Sequence, residues 1–157
     1  MTEREPPAAR FSVQISHESD VVVARQRVRE LAREQALHPV RAEALAIAVT
    51  EIARNIVAHA RSGDIVLGTL SDGSRRAVVV IARDAGPGIS DVGQAMVDGF
   101  STGGGLGFGL SGARRLVDEF EIESRSGTGT TVTLCQWTGV DPDAEDRRRG
   151  LQERPTP

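Results

Sequence analysis

Apolar residues return three and four apart from Val21 through Ala24, Val28 and Leu31 to Ala32. That spacing predicts an amphipathic helix, capped by Ser19 or Asp20 and running through Ala36. Pro39 punctuates the chain. Leu45, Ala48, Val49, Ile52, Ile56 and Ala60 then mark the face of a second helix, predicted from about Val40 to Ala60. Elsewhere the period drops to that of strands. Phe11–Ile15 alternates, Asp64–Leu70 and Ala77–Arg83 read as a strand pair, and Ser71-Asp-Gly-Ser-Arg75 supplies the turn. A glycine-rich stretch fills 84–112. A short helix is predicted around Gly112–Glu119, with strands near Phe120–Arg125 and Thr130–Trp137. The pattern implies one α+β domain over 11–137, between a flexible N-terminus (1–10) and a disordered tail (138–157). The tail holds three prolines, five acids and four arginines. Arg147–Arg149 lies beside Asp141, Asp143, Glu145 and Asp146, so it reads as solvated charge rather than a docking patch.

Composition narrows the chemistry. A chain of 157 residues suits one domain with a real core. A net charge of −3 argues against a nucleic-acid partner held by a basic surface. All 19 cationic residues are arginine. The missing lysine excludes a P-loop ATPase, Schiff-base chemistry and a eukaryotic-type kinase site. Cys135 stands alone, which leaves no disulfide framework and no cysteine-built zinc site, and implies a reducing compartment. The longest strongly apolar run, Val78–Ala82, is a strand's length, and Met1–Pro7 lacks a signal-peptide core. A soluble, cytoplasmic protein with no membrane segment is expected.

Four segments carry candidate chemistry. Glu51 and Asn55, four apart in Glu51-Ile-Ala-Arg-Asn55, share a helix stripe at the edge of the apolar face. A carboxylate there can orient or deprotonate a hydroxyl, and an amide oxygen can ligate Mg²⁺. His59, one turn on, reads as structural. Asp84-Ala-Gly-Pro-Gly-Ile89 ends an apolar strand, where Asp84 can accept a hydrogen bond from a base and Gly86 and Gly88 let backbone approach a ligand. Gly103-Gly-Gly-Leu-Gly-Phe-Gly-Leu110 leads into a helix and offers N–H groups to phosphate. Gly107–Gly112 formally fits a dinucleotide fingerprint, but no convincing strand precedes it. Gly127-Thr-Gly-Thr130 enters the last strand, where a threonine hydroxyl can touch a base. Each segment alone reads equally well as a solvated pair, a turn or a linker.

Together and in order they resemble the GHKL ATPase family, whose nucleotide site is the Bergerat fold. The family's N box matches Glu51 and Asn55. Its first glycine box matches Asp84, Gly86, Gly88 and Ile89, its second Gly105, Gly107, Gly109 and Leu110, and its terminal pair Gly129 and Thr130. Glu51-Ile-Ala-Arg-Asn-Ile56, Asp98-Gly-Phe-Ser-Thr102 and Arg114-Arg-Leu-Val-Asp-Glu-Phe120 are similar to the anti-sigma serine kinases, closest to those of the bacterial stressosome. The resemblance implies a two-layer α/β (α+β) sandwich with a mixed, mostly antiparallel sheet and helices on one face. It implies ATP held by Asn55, Asp84, Gly86, Gly88, Ile89, Gly104, Gly105, Leu106, Gly107, Phe108, Gly109, Leu110 and Thr130. Mg²⁺ would sit on Asn55, Glu51 would be the base, and residues 90–104 would form a lid. The implied substrate is a STAS-domain antagonist, with a downstream phosphatase or sigma factor as a further partner. The alternative is a nucleotide-binding switch that sequesters a regulator with little turnover. Gly103 and Gly104 stand where some anti-sigma kinases carry a basic residue facing the γ-phosphate, so the resemblance assigns no cation there.

Overall fold

A computed structural model describes residues 6–88 and 109–139. Five strands form a single sheet: β1 Ala8–Ile15, β2 Gly63–Asp72, β3 Arg75–Asp84, β4 Glu119–Arg125 and β5 Gly129–Trp137. Their spatial order is β1-β2-β3-β5-β4. Every described pair is antiparallel, in keeping with the mostly antiparallel sheet that the resemblance implies. Two of these pairs, β2–β3 and β4–β5, are hairpins, a connection that only antiparallel strands allow.

Among the described residues, three α-helices accompany the sheet: α1 Glu18–Glu34, α2 Pro39–Asn55 and α3 Gly109–Leu116. Their apolar faces meet one face of the sheet. Alternation on β3 sends Val78, Val80 and Ala82 into this core with Val28, Leu31, Leu45, Val49 and Ile52. Ala77, Val79 and Ile81 point the other way and join Leu70, Cys135 and Trp137 in a second cluster, to which no described helix contributes. Arg75 lies over the Trp137 ring at 4.2 Å, and the indole N–H donates to Glu119 at 2.6 Å.

Helix ends depart from the sequence expectation. The α1 cap is His17 rather than Ser19 or Asp20. Asp20 sits in the first turn, where its Oδ2 accepts from the backbone N–H of Ser16 and His17, each at 2.9 Å. These bonds lower the Asp20 pKa, the Ser16 bond most, because both favour the carboxylate. The helix stops in a left-handed turn. Ala36 has φ +57°, Leu37 N–H donates to Ala32 O at 2.9 Å, and Ala36 N–H to Arg33 O at 3.1 Å. Pro39 opens α2, and His38 Nδ1 accepts from Val40 N–H.

The second helix does not run uniformly to Ala60. It is α-helical to Asn55 and then widens into a π-helical turn, Ile56–Ala60. The hairpin turn is tighter than expected: Asp72 pairs with Arg75, and Gly73 takes φ +63°. The short helix lies at Gly109–Leu116 instead of 112–119, and Glu119 already belongs to β4. Gln136 explains part of that stop. It is 1% exposed, accepts from Asp118 N–H, and donates to Leu116 O and to Arg41 O. A buried amide thus satisfies a terminal carbonyl of α3 and ties it to the start of α2. The Asp118 carboxylate pairs with Arg41 and accepts from Trp137 N–H.

Candidate functional site

The strongly β-branched run of β3 ends at Asp84, and β5 begins beside it. Asp84 and Thr130 are register partners on the β3–β5 ladder. Gly129 makes this approach possible: with φ +124°, a Cβ there would lie 2.1 Å from Asp84 O. The Thr130 hydroxyl is 2.8 Å from Ser124 Oγ on β4, and both are half-buried. After Asp84 the chain turns sharply. Its Oδ1 accepts from Gly86 N–H at 3.0 Å, which leaves Oδ2 as an acceptor for a ligand.

This turn rests on two neighbours. On one side, a Cβ on Gly86 would come within 2.7 Å of Ala60 Cβ in the π-helical turn. On the other, Pro87 O accepts from Gly127 N–H at 2.7 Å. Gly88, at φ +76°, leaves no room for a Cβ, which would meet Arg125 O at 2.2 Å. The first glycine segment is therefore clamped between the end of the second helical run and the β4–β5 turn.

The helical side of the site carries Glu51 and Asn55, both half-buried. Arg54 Nη1 lies 3.9 Å from Glu51 Oε1, and Arg54 Nε donates to Glu18 at 3.3 Å. The Asn55 side chain makes no hydrogen bond to any described residue. Its amide oxygen is thus available to a hard cation. No group of three or more acidic, histidine or cysteine side chains capable of holding a metal occurs among the described residues. A single oxygen ligand suits Mg²⁺, which keeps most of its shell as water and substrate phosphate. His59 is exposed on the π-helical turn.

Three of the four sequence segments are thus brought into contact, directly or through one intermediary. Of the second glycine segment, Gly109 and Leu110 lie at the start of α3, and Leu110 enters the core shared with α2. Ile89, Gly104, Gly105, Leu106, Gly107, Phe108 and the expected lid at 90–104 lie outside the described residues. Sequence reasoning missed Ala60 and Ser124. Ser124 could have been found by pairing the last two strands, which sets it opposite Thr130.

The profile of the histidine kinase-like ATPase domain matches residues 16–136. The chain is 42% identical over 125 residues to the serine/threonine-protein kinase RsbT of Bacillus subtilis, covering 80% of this chain and 94% of that one. It is 32% identical over 102 residues to the anti-sigma F factor of Thermoanaerobacter pseudethanolicus, covering 60% and 68%. A crystal structure of the RsbU and RsbW domains of Rv1364c from Mycobacterium tuberculosis superposes with TM-score 0.55 at 22% identity. The match covers 84% of this chain and 32% of that one, and it shows a shared fold.

Proposed function

Because the chain belongs to the histidine kinase-like ATPase domain family, we propose that it is an ATP-dependent protein serine/threonine kinase of a partner-switching pathway. The observation that carries this reading is the meeting of the Asp84 turn with both the helical run bearing Glu51 and Asn55 and the strand bearing Thr130. In this proposal residues 11–137 form the nucleotide-binding unit, and the substrate is a STAS-domain antagonist protein. The likeness to RsbT over nearly its whole length supports the kinase.

Asp84 Oδ2 accepts a hydrogen bond from the adenine amino group, and Thr130 touches the base from the neighbouring strand. The Gly109 end of α3 faces the phosphates, where a helix N-terminus favours anions. Asn55 would hold Mg²⁺ through its amide oxygen, and the ion would neutralise charge on the phosphates. Glu51 accepts the proton of the substrate's hydroxyl as its oxygen bonds to the γ-phosphorus. The bond from that phosphorus to the β-phosphate oxygen breaks, and ADP leaves with the electron pair. Arg54 screens the Glu51 charge from the outside without being close enough for a tight ion pair.

The alternative reading is a nucleotide-dependent switch that binds a regulator and transfers little phosphate, and the likeness to an anti-sigma F factor supports it. Glu51 favours the kinase, since a sequestering module needs no base. Incubation with Mg-ATP and STAS-domain proteins, read by intact mass, separates the two. The kinase adds one phosphoryl group to its partner. Stable binding without any mass gain establishes the switch instead. Either is compatible with the absence of a membrane-crossing helix among the described residues.

A further inference from the structure

We propose that Ser124 on β4 is a positioning residue for nucleobase selection. It makes the Thr130 hydroxyl a hydrogen-bond acceptor, so that beside Asp84 the pocket takes a base with an exocyclic amino group and rejects one with a carbonyl there. The inference rests on the reading of the Asp84–Thr130 row as the pocket for the base.

Three neighbouring strands bring the groups together. Ser124 is the register partner of Thr130, and Thr130 that of Asp84. Ala82, Ile122 and Val132, each two residues away along its strand, belong to the core beneath the helices. Side chains alternate along a strand, so Asp84, Thr130 and Ser124 stand in one row on that same face. All three are half-buried. A hydrogen bond among them is therefore partly shielded from water, yet the row stays open to a ligand.

Proton counting gives the row its direction. A serine hydroxyl carries one hydrogen. Ser124 Oγ lies 3.3 Å from Gly129 O, a carbonyl that can only accept, and donates to it. The 2.8 Å bond between Ser124 Oγ and Thr130 Oγ1 must then use the threonine's hydrogen. With its proton committed to Ser124, the Thr130 oxygen offers a ligand lone pairs alone. Asp84 does the same: Oδ1 accepts from Gly86 N–H, and Oδ2 remains an acceptor. Two acceptors in one row match the two amino hydrogens of adenine. Hypoxanthine would set the lone pairs of its O6 against them, a mispairing that a partly desolvated site penalises. A serine–threonine pair across two strands stabilises a sheet in any case. The bond to Gly129 is what gives this pair a donor end and an acceptor end.

Inosine triphosphate is the probe. It differs from ATP only at the base edge, so phosphate and metal contacts cancel in the ratio of the two affinities. Calorimetry with Mg²⁺ should show a wild-type preference for ATP of about a hundredfold or more. Ser124→Ala frees the Thr130 proton to donate to O6, and should narrow that preference about tenfold, chiefly through tighter binding of inosine triphosphate. Ser124→Thr should keep the wild-type ratio. Ser124→Cys, whose thiol bonds weakly, should narrow it in the same direction and decides the matter if the alanine variant fails to fold. In a Thr130→Val background, Ser124→Ala should leave the ratio unchanged, as a residue acting through Thr130 requires. Equal losses of affinity for both nucleotides in Ser124→Ala and Ser124→Cys mark a purely structural serine and overturn the inference. So does a wild type that binds both nucleotides alike, which leaves nucleotide binding itself intact. A wild type that binds neither overturns the reading of the pocket and this inference together.

Discussion

Ala60 packs so closely on Gly86 that a β-carbon added to the glycine would sit 2.7 Å from the alanine's own. The contact joins the π-helical turn below Asn55 to the loop below Asp84. Gly86→Ala should therefore displace one side of the site from the other. We expect about 1–3 kcal/mol of lost stability from overpacking, with weaker nucleotide binding. Urea unfolding and calorimetry measure the two effects. Adding Ala60→Gly should recover only part of each, because the Ala60 Cα lies 2.8 Å from the same point.

Asp84→Asn should weaken ATP binding by about 1–3 kcal/mol. The amide can preserve one acceptor, either toward Gly86 N–H or toward the base, and it presents a donor to the other. Calorimetry checks the affinity, and an unchanged value would remove Asp84 from base recognition.

Glu51→Ala and Asn55→Ala should separate chemistry from binding. The first should retain Mg-ATP affinity and slow phosphoryl transfer by about 10²–10⁴-fold. The second should lose affinity and transfer together, because the oxygen ligand is gone. Single-turnover transfer, measured alongside nucleotide titration, distinguishes them. A wild-type rate in Glu51→Ala would show that another group takes the proton.

Ala36→Gly should stabilise the protein by up to about 1 kcal/mol. Ala36 occupies a left-handed conformation that costs an L-residue with a β-carbon about 1–2 kcal/mol, and glycine's greater freedom when unfolded cancels part of the gain. The midpoint of urea denaturation should rise with no change in nucleotide affinity.

Asp20 should contribute to acid lability. Its pKa is depressed in the fold by the backbone N–H groups of Ser16 and His17. A depressed carboxylate gives its full stabilisation above the unfolded value, about pH 4, and loses it as pH falls through the lower folded value. Asp20→Ala should flatten that acid limb and leave stability near neutral pH lower than wild type. Denaturation midpoints across the acid range provide the measurement.

The strands were legible because β-branched runs such as Val78–Ile81 leave little choice of conformation. The site motifs were legible for a related reason: Gly86, Gly88 and Gly129 stand where any β-carbon would strike backbone or a neighbouring helix. The π-helical turn was not, since one widened turn barely disturbs the apolar period that runs into Ala60. Nor could residue type locate the α1 cap. Ser19 and Asp20 are both good cap residues, and the choice of His17 depends on what Asp20 can reach. Gln136 looks like a surface residue in an apolar strand. Its buried role appears only when Arg41, 95 residues away in sequence, comes beside it.

The rung between Asp84 and Thr130 gives the site a division of labour. Eight successive residue pairs lock β3 to β5, from Ala77–Trp137 to Asp84–Thr130. None of them depends on how many residues connect Gly88 to Gly109. The ladder alone therefore fixes where Asp84 stands relative to Thr130, and under the proposed function it would be this frame, and not the connection, that sets preference for the base.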